Sequence, residues 1–197
     1  MLRFLFLCFP FANAATLFTA VAASGNTDIH MAPLAASAQH LWLHRDTSAY
    51  CPNEPDQCPP GNLTAFGMAD SLEGTLSMDV AVPGGQRVFV NQGGEIKYTL
   101  PHSAAVDTNS SISGWQLTPS VMSGFGKLSW APETGGASGG FVACPGESGS
   151  GEWTVLAMMG DDGTSFVTAG CSLMEVLVPM TADGGYGIDG PAAWEYE

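Results

Sequence analysis

The sequence predicts an all-β protein: a single compact β-sandwich or small β-barrel, with a trefoil-like barrel as the alternative, held by two disulfides. Three observations favour this fold class. The 197 residues include 25 glycines and 13 prolines, which favour turns over long helices. Runs of β-branched and aromatic residues recur about every ten positions between turn residues. No segment of helical length carries an apolar stripe of period 3.6.

The predicted strands are short and follow one another along the chain. The clearest unit is QRVFVNQGGEIKYTL, in which Gln92-Gly93-Gly94 separates two strand-like runs and supplies the positive φ of a bulged hairpin loop. The remaining pattern predicts strands at Ile29 to Leu34, His40 to Leu43, Leu63 to Phe66, Thr75 to Val82, Arg87 to Asn91, Glu95 to Leu100, Gly114 to Leu117, Gly126 to Trp130, Gly140 to Cys144, Trp153 to Met158 and Met174 to Val178. Residues 131–140 and 179–191 are predicted loops, and one domain is expected.

The N-terminal residues have the layout of a secretory signal peptide. Arg3 precedes an apolar run, and small residues follow it. We expect residues 1–24 to contain this leader, with cleavage either after Ala12-Asn13-Ala14 or nearer residues 20–24. Residues 25–197 are then expected to form one all-β domain with a glycine-rich tail from about residue 179.

Membrane association is not expected once the leader is removed. Pro10 and Asn13 interrupt the N-terminal apolar run, and later segments contain no uninterrupted stretch of about 18 apolar residues. The C-terminal AAWEYE is charged and lacks the hydrophobic tail of a lipid-anchor signal. A secreted, extracellular protein is expected.

Four cysteines remain when the leader, with Cys8, is removed: Cys51, Cys58, Cys144 and Cys171. An even number in a secreted chain indicates disulfides, and four cysteines allow three pairings. Sequence proximity favours Cys51 with Cys58 and Cys144 with Cys171. A zinc site is the competing interpretation, but no Cys-x-x-Cys occurs and the compartment is oxidising.

Two acceptor sequons fit the same compartment. They are Asn62-Leu63-Thr64 and Asn109-Ser110-Ser111, so Asn62 and Asn109 are predicted glycosylation sites. Each should lie on an exposed loop or strand end.

The charge balance excludes polyanionic partners. Nineteen acidic residues against five basic ones give a formal net charge of −14, which repels nucleic acid and anionic lipid headgroups. Solubility in an acidic or ion-rich extracellular setting is the preferred interpretation of this acidity.

Ser148, in Gly-Glu-Ser-Gly-Ser, is superficially similar to a serine-protease nucleophile. Such a serine needs a neighbouring base, and the chain offers only His30, His40, His44 and His102, none in a protease-like motif. The Gly-x-Ser-x-Gly elbow fails as well, because serine occupies its last position. A solvated turn is expected at this serine. No catalytic residue is assigned, and neither enzymatic activity nor a cofactor is expected.

Three patterns suggest metal binding, and each has a simpler interpretation. His40 and His44 are four apart but flank a strand-like Leu-Trp-Leu run, so at most weak surface affinity is expected. Residues 184–189, GGYGID, match one copy of a calcium-binding repeat that needs neighbouring copies. Residues 161–163, Asp-Asp-Gly, lack the other ligands of an EF-hand and predict a hairpin turn. No metal site is expected.

Tryptophans and acidic residues leave two rival functions open. Trp42, Trp115, Trp130, Trp153 and Trp194 would indicate a carbohydrate-binding module if three or more were exposed on one face, although most tryptophans of a β domain are buried. A closed barrel could also hold a small apolar ligand. A secreted hydrolase with paired carboxylates is the less favoured rival, because the fold and not the sequence sets their spacing.

Ordered blocks between residues 28 and 178 resemble a known family. They include Ile29-His30, Leu41-Trp42-Leu43, Tyr50-Cys51-Pro52, Cys58-Pro59, Gly61-Asn62-Leu63-Thr64, Val82-Pro83-Gly84-Gly85-Gln86, His102-Ser103 and Ala143-Cys144-Pro145. In this order they resemble the phialide-associated PhiA proteins, small secreted cell wall proteins of filamentous fungi, some of them IgE-binding allergens.

The resemblance implies a glycosylated, allergen-like protein in or near the fungal cell wall. It implies a role in conidiophore or spore development, with wall polysaccharide or wall proteins as partners. It carries no catalytic residues. The tail beyond residue 180 looks like an extension of the family pattern.

Overall fold

The all-β prediction is confirmed by a computed structural model that describes residues 15–53, 55–69, 74–120, 123–131, 140–146, 150–159, 170–181 and 185–197. Within these ranges the chain forms fifteen β-strands and one 3-10 turn, Pro55–Gln57. None of these ranges holds a helix with the length and apolar character needed to cross a membrane.

The strands are two to eight residues long because glycine, proline and short polar residues interrupt the chain repeatedly. In chain order they are β1 (Thr16–Phe18), β2 (Val21–Ser24), β3 (Ala35–Ser37), β4 (His40–Leu43), β5 (Ala49–Tyr50), β6 (Phe66–Met68), β7 (Leu76–Met78), β8 (Gln86–Val90), β9 (Ile96–Tyr98), β10 (Trp115–Thr118), β11 (Phe125–Trp130), β12 (Phe141–Pro145), β13 (Trp153–Ala157), β14 (Ser172–Pro179) and β15 (Glu195–Tyr196).

Most of these strands belong to one sheet that curls into a half-barrel. Eleven strands follow the path β1-β6-β7-β8-β9-β4-β13-β12-β14-β11-β10. β2 joins the free edge of β14, and β3 joins β4. β5 and β15 form a separate two-stranded sheet.

The long strand β14 connects the two halves of this sheet. Its first residues pair with β12, its last residues pair with β11, and its other edge pairs with β2. Met174, Val176 and Val178 are buried while Leu173 and Glu175 are exposed, as the two-residue period of a strand requires. This alternation fixes the register of three neighbouring strands.

The core of the half-barrel contains clustered aromatic side chains. Trp115 and Trp130 are 2% and 1% exposed, with ring centroids 6.4 Å apart, and Phe141 stacks on Trp115 at 6.3 Å. Phe18 and Phe66 form a second aromatic pair at 5.9 Å. Aromatic pairs at such distances add to the free energy gained from burial.

The predicted hairpin is confirmed. β8 and β9 pair antiparallel with Val90 opposite Ile96, and Gly94 lies between them at φ +84°. A Cβ on Gly94 would stand 2.4 Å from the carbonyl oxygen of Ala157, so this position needs glycine for its space as well as for its backbone conformation.

Two strand predictions need correction. Residues 29–34 do not form a strand: hydrogen bonds from the N–H groups of Ile29 and His30 to the Asn26 carbonyl form turns, and Met31 has a φ of +63°. Ile29 is nevertheless fully buried. The apolar residues at 29–34 therefore indicate a buried segment and not a strand. The run from Leu63 is likewise displaced, since β6 begins at Phe66.

Two strands lie within residues 1–24, the range that the sequence assigned to the leader and its alternative cleavage positions. β1 and β2 lie within the segment assigned to the leader, yet they pair with β6 and β14. Phe18 and Ala22 are both 0% exposed. Their small and apolar residues satisfy the leader pattern and the core equally well, which is why composition alone did not separate them.

Candidate functional site

Both disulfides favoured by proximity are present. Cys51 and Cys58 close a short loop that contains the 3-10 turn. Cys144 on β12 joins Cys171, which immediately precedes β14; the neighbouring pair Ala143 and Ser172 is in register between these strands. The second disulfide therefore fastens two adjacent strands of the main sheet.

Both predicted glycosylation residues are accessible. Asn62 and Asn109 are exposed, and Asn109 occupies a turn with a φ of +60°. In the first sequon Thr64 is 3% exposed, and its hydroxyl oxygen accepts the Ala36 N–H at 2.7 Å. Asn62 is therefore accessible to solvent, whereas Thr64 is buried and stabilises β3 through its bond to Ala36.

Three of the four histidines contact backbone groups. His30 Nδ1 accepts the Ser24 N–H at 3.4 Å, and His40 Nδ1 lies 2.8 Å from the Ala38 carbonyl oxygen. His44 Nε2 lies 2.5 Å from the Asp28 carbonyl oxygen. His40 and His44 thus engage different carbonyls, and the second ring nitrogen of His40, Nε2, lies 3.8 Å from Glu95 Oε1. In the described part of the chain, no three His, Cys, Asp or Glu side chains cluster as metal ligands.

Several candidate positions lie outside the described residues: Ser148, the Asp-Asp-Gly turn at 161–163, and Gly184 of the GGYGID stretch. The rest of that stretch lines a shallow cavity of about 560 Å³ together with Thr16 and Leu17 of β1. Among the described residues that line this cavity, Asp189 carries the single carboxylate.

The tryptophans do not meet the criterion for a sugar-binding face. Trp115 and Trp130 are buried, and Trp42, Trp153 and Trp194 are half-buried. Trp42 pairs with Thr154 in the register of β4 and β13, so Trp42 and the next residue of β13, Trp153, lie on opposite faces of the sheet. The Arg45 guanidinium stands 4.4 Å from the centroid of the Trp42 ring and covers one side of it.

Three basic side chains of the folded body are paired with acids. Arg45 lies 3.8 Å from Glu152, Lys97 lies 2.9 Å from Asp107, and Lys127 lies 2.5 Å from Glu175. Exposed pairs of this kind contribute little stability, but they neutralise cations in a chain that is poor in them. The protein therefore presents a predominantly anionic surface.

The sequence did not predict the contacts of the C-terminal segment, residues 192–197. β15 pairs with β5, while Ala193 forms a parallel bridge with Val80. Backbone N–H groups of Ala81 and Val82 donate to the carbonyls of residues 193 and 194 at 3.0 and 2.9 Å. The C-terminal segment therefore pairs with β5 and also bonds residues 80–82. These six residues, which the sequence assigned to a glycine-rich tail, pair with the folded body.

Buried polar side chains hold this segment. Gln86, 1% exposed, bonds both backbone groups of Tyr196, and the Asp79 carboxylate accepts the Ala192 N–H at 3.1 Å. The Tyr196 hydroxyl donates to the Leu63 carbonyl at 3.0 Å and accepts the Ala65 N–H at 3.1 Å. The Tyr98 hydroxyl donates to the Glu197 carbonyl at 2.9 Å.

Burial disfavours the charged forms of these groups. Removal from water raises the pKa of Tyr196 to about 12, an effect that the Ala65 N–H bond partly opposes. Burial also raises the pKa of Tyr98 above its ordinary value, and it raises the pKa of Asp79 against the opposing Ala192 N–H bond. The hydrogen bonds of these side chains are suited to holding the C-terminal strand in place.

An open groove lies beside β2, β12 and β14. It has a volume of about 520 Å³ and is lined mainly by apolar groups, among them Phe141, Met158, Leu173 and Met174, with His30 at its side. Leu173 is 53% exposed there. The volume falls in the range of small-molecule sites.

Comparison with known proteins relates the chain to secreted proteins. An uncharacterized secreted protein of Arthroderma benhamiae is 35% identical over 96 residues, a match that covers 48% of this chain and 46% of that protein. The chain thus matches about half the length of this curated relative. No solved structure matches this chain. The profile of the PhiA-like secreted proteins matches residues 18–196, from β1 to the last strand. The chain therefore belongs to the PhiA-like secreted protein family.

Proposed function

We propose that this secreted protein is a structural or interaction component of the fungal cell wall, without catalytic activity, and that it takes part in conidiophore or spore development. Its family membership supports secretion. The wall and developmental roles rest on the ordered sequence blocks described above. Wall polysaccharide or wall proteins are its proposed partners.

The observation that carries this proposal is that reactive side chains form hydrogen bonds and disulfides within the folded body. In the described ranges three histidines bond backbone carbonyls or N–H groups, four cysteines form disulfides, and two tyrosines lock the C-terminal segment. Each of these groups is committed to stability. Such a body suits persistence outside the cell.

Fractionation of a producing fungus tests the wall assignment. Epitope-tagged protein is expected to remain in the wall fraction after detergent and salt washing and to be released by wall-digesting enzymes. Recovery solely from the culture medium would contradict it. The developmental role predicts that deletion of the gene reduces conidiophore or spore formation, with the wild-type chain restoring it.

Glycosylation at Asn62 and Asn109 is part of the same proposal. The exposure of both side chains supports it. Treatment of the secreted protein with an N-glycan-removing enzyme is expected to increase its gel mobility. Asn62→Gln and Asn109→Gln should each remove one part of that shift, whereas Asn53→Gln, an exposed asparagine outside a sequon, should leave it intact. Unchanged mobility of both sequon variants would contradict glycosylation.

A second candidate function is binding of a small apolar ligand in the groove beside β14. Its apolar lining favours this function over sugar binding. An apolar fluorescent probe is expected to bind the wild-type protein and to lose binding in Leu173→Asp. Leu63→Asp is the matched control, because Leu63 is exposed elsewhere. Equal probe binding by both variants would rule out the groove.

A further inference from the structure

We propose that the signal peptide is removed between Ala14 and Ala15, so that the mature protein begins at Ala15. The sequence leaves two cleavage regions open, one after Ala12-Asn13-Ala14 and one at residues 20–24. Packing of the first described strands distinguishes them. This inference concerns maturation and does not depend on the wall role.

β1 is an integral strand of the sheet. All three of its residues pair with β6, from Thr16 opposite Met68 to Phe18 opposite Phe66. Phe18 is fully buried, with its ring centroid 5.9 Å from that of Phe66 and 6.1 Å from that of Tyr186. Cleavage after residue 18 would remove one terminal strand of the half-barrel and leave a hole among these rings.

β2 is bonded along both edges. One edge pairs with β14 over four residues, and the Ser24 hydroxyl donates to the Leu173 carbonyl at 2.7 Å. On the other edge the Ala22 N–H donates to the Ala32 carbonyl, and the Ala22 carbonyl accepts the Met31 N–H. Cleavage at residues 20–24 would leave these partners without hydrogen bonds, which buried backbone groups do not tolerate.

The bond after Ala14 avoids both losses. Alanine stands three residues and one residue before it, the small-residue pattern of a signal peptidase site. Water adds across this amide bond, so Ala14 receives a carboxylate and Ala15 an ammonium group. Ala15 is exposed whereas Thr16 is half-buried, so the new charge remains in water one residue before the sheet begins.

N-terminal sequencing of the protein secreted from the full chain tests the proposal. The expected sequence is Ala-Thr-Leu-Phe, from Ala15 onward. Any other first residue, and above all one between 21 and 25, overturns it. Ala14→Gln should abolish this N-terminus, while Ala23→Gln, which alters the rival region, should keep it.

A second measurement compares chains that start at Ala15 and at Gly25 behind a leader with a known cleavage site. The first is expected to be secreted and to resist protease. The second, which lacks β1 and β2, is expected to be lost from the medium. Equal secretion and equal protease resistance of the two chains would overturn the structural argument.

Discussion

Gln86 and Tyr196 exchange two hydrogen bonds across a separation of 110 residues. The side-chain Nε2 of Gln86 donates to the Tyr196 carbonyl at 2.9 Å, and its Oε1 accepts the Tyr196 N–H at 2.7 Å. The same Nε2 also donates to the Thr99 carbonyl at 2.9 Å. A buried amide side chain thus replaces the backbone of a neighbouring strand and holds the C-terminal segment in the body.

Substitution Gln86→Met is expected to destabilise the fold by about 3 kcal/mol or more. It retains the approximate shape of the side chain but leaves a buried N–H and two buried carbonyls without partners, and each such group costs about 1–3 kcal/mol. The free energy of unfolding should be measured by denaturant titration.

Gln116→Met is the matched control for this substitution, because Gln116 is exposed on β10. It is expected to change the free energy of unfolding by less than about 0.5 kcal/mol. Similar values for the two variants would show that the Gln86 bonds do not hold the segment.

Elements that bury one face were predictable from the sequence. His40 to Leu43 was predicted with the bounds that the structure gives β4, and Met174 to Val178 falls within β14, because period-two alternation reports a half-buried strand. The disulfides followed from proximity within the chain. Gln86 left a signal as well: it is in phase with the buried Val88 and Val90 and should therefore point inward.

The partners of the C-terminal segment were not predictable in this way. β15 has two residues, too few for periodicity, and its contacts come from residues more than a hundred positions away. Ile29 shows the opposite difficulty, since it is buried in a turn and satisfies the hydrophobic pattern of a strand. Tertiary packing, not local preference, decides both cases.

The raised pKa of Asp79 predicts that the free energy of unfolding decreases as the pH rises above about 4. Burial raises its pKa from the ordinary value of 3.8, so between the unfolded and folded pKa values the native state binds more protons than the unfolded state. The contribution is therefore complete below 3.8 and is lost as the pH passes upward through the folded pKa. Asp79→Asn should remove this slope from melting temperatures measured between about pH 3 and pH 7.

The control for Asp79 is Asp107→Asn, which removes an exposed carboxylate paired with Lys97. This variant should keep the wild-type slope. The assignment to Asp79 would fail if Asp79→Asn and the wild type showed parallel melting curves across the range.

The turn between β3 and β4 predicts a stabilising substitution. Ala38 and Gln39 have φ values of +51° and +59°, the conformation of a type I′ hairpin turn, which disfavours both residues. Gln39→Gly is expected to raise the free energy of unfolding by about 0.5–1 kcal/mol, because glycine adopts positive φ without strain. Gln116→Gly, the same exchange within β10, should instead lower it by about 0.5–1 kcal/mol. A decrease of equal size in both variants would contradict strain in the turn.

The two disulfides should differ in their contribution to stability. Chain entropy of the unfolded state predicts about 3.5 kcal/mol for Cys144–Cys171, which spans 27 residues, and about 2.4 kcal/mol for Cys51–Cys58, which spans 7. Paired Cys→Ser variants should therefore rank in that order in denaturant titration under oxidising conditions. The difference should grow further if loss of the Cys144–Cys171 bond also loosens β12 from β14. A larger loss in the Cys51/Cys58 variant would mean that the short loop carries native contacts beyond its effect on the unfolded chain, and the entropic ranking would be wrong.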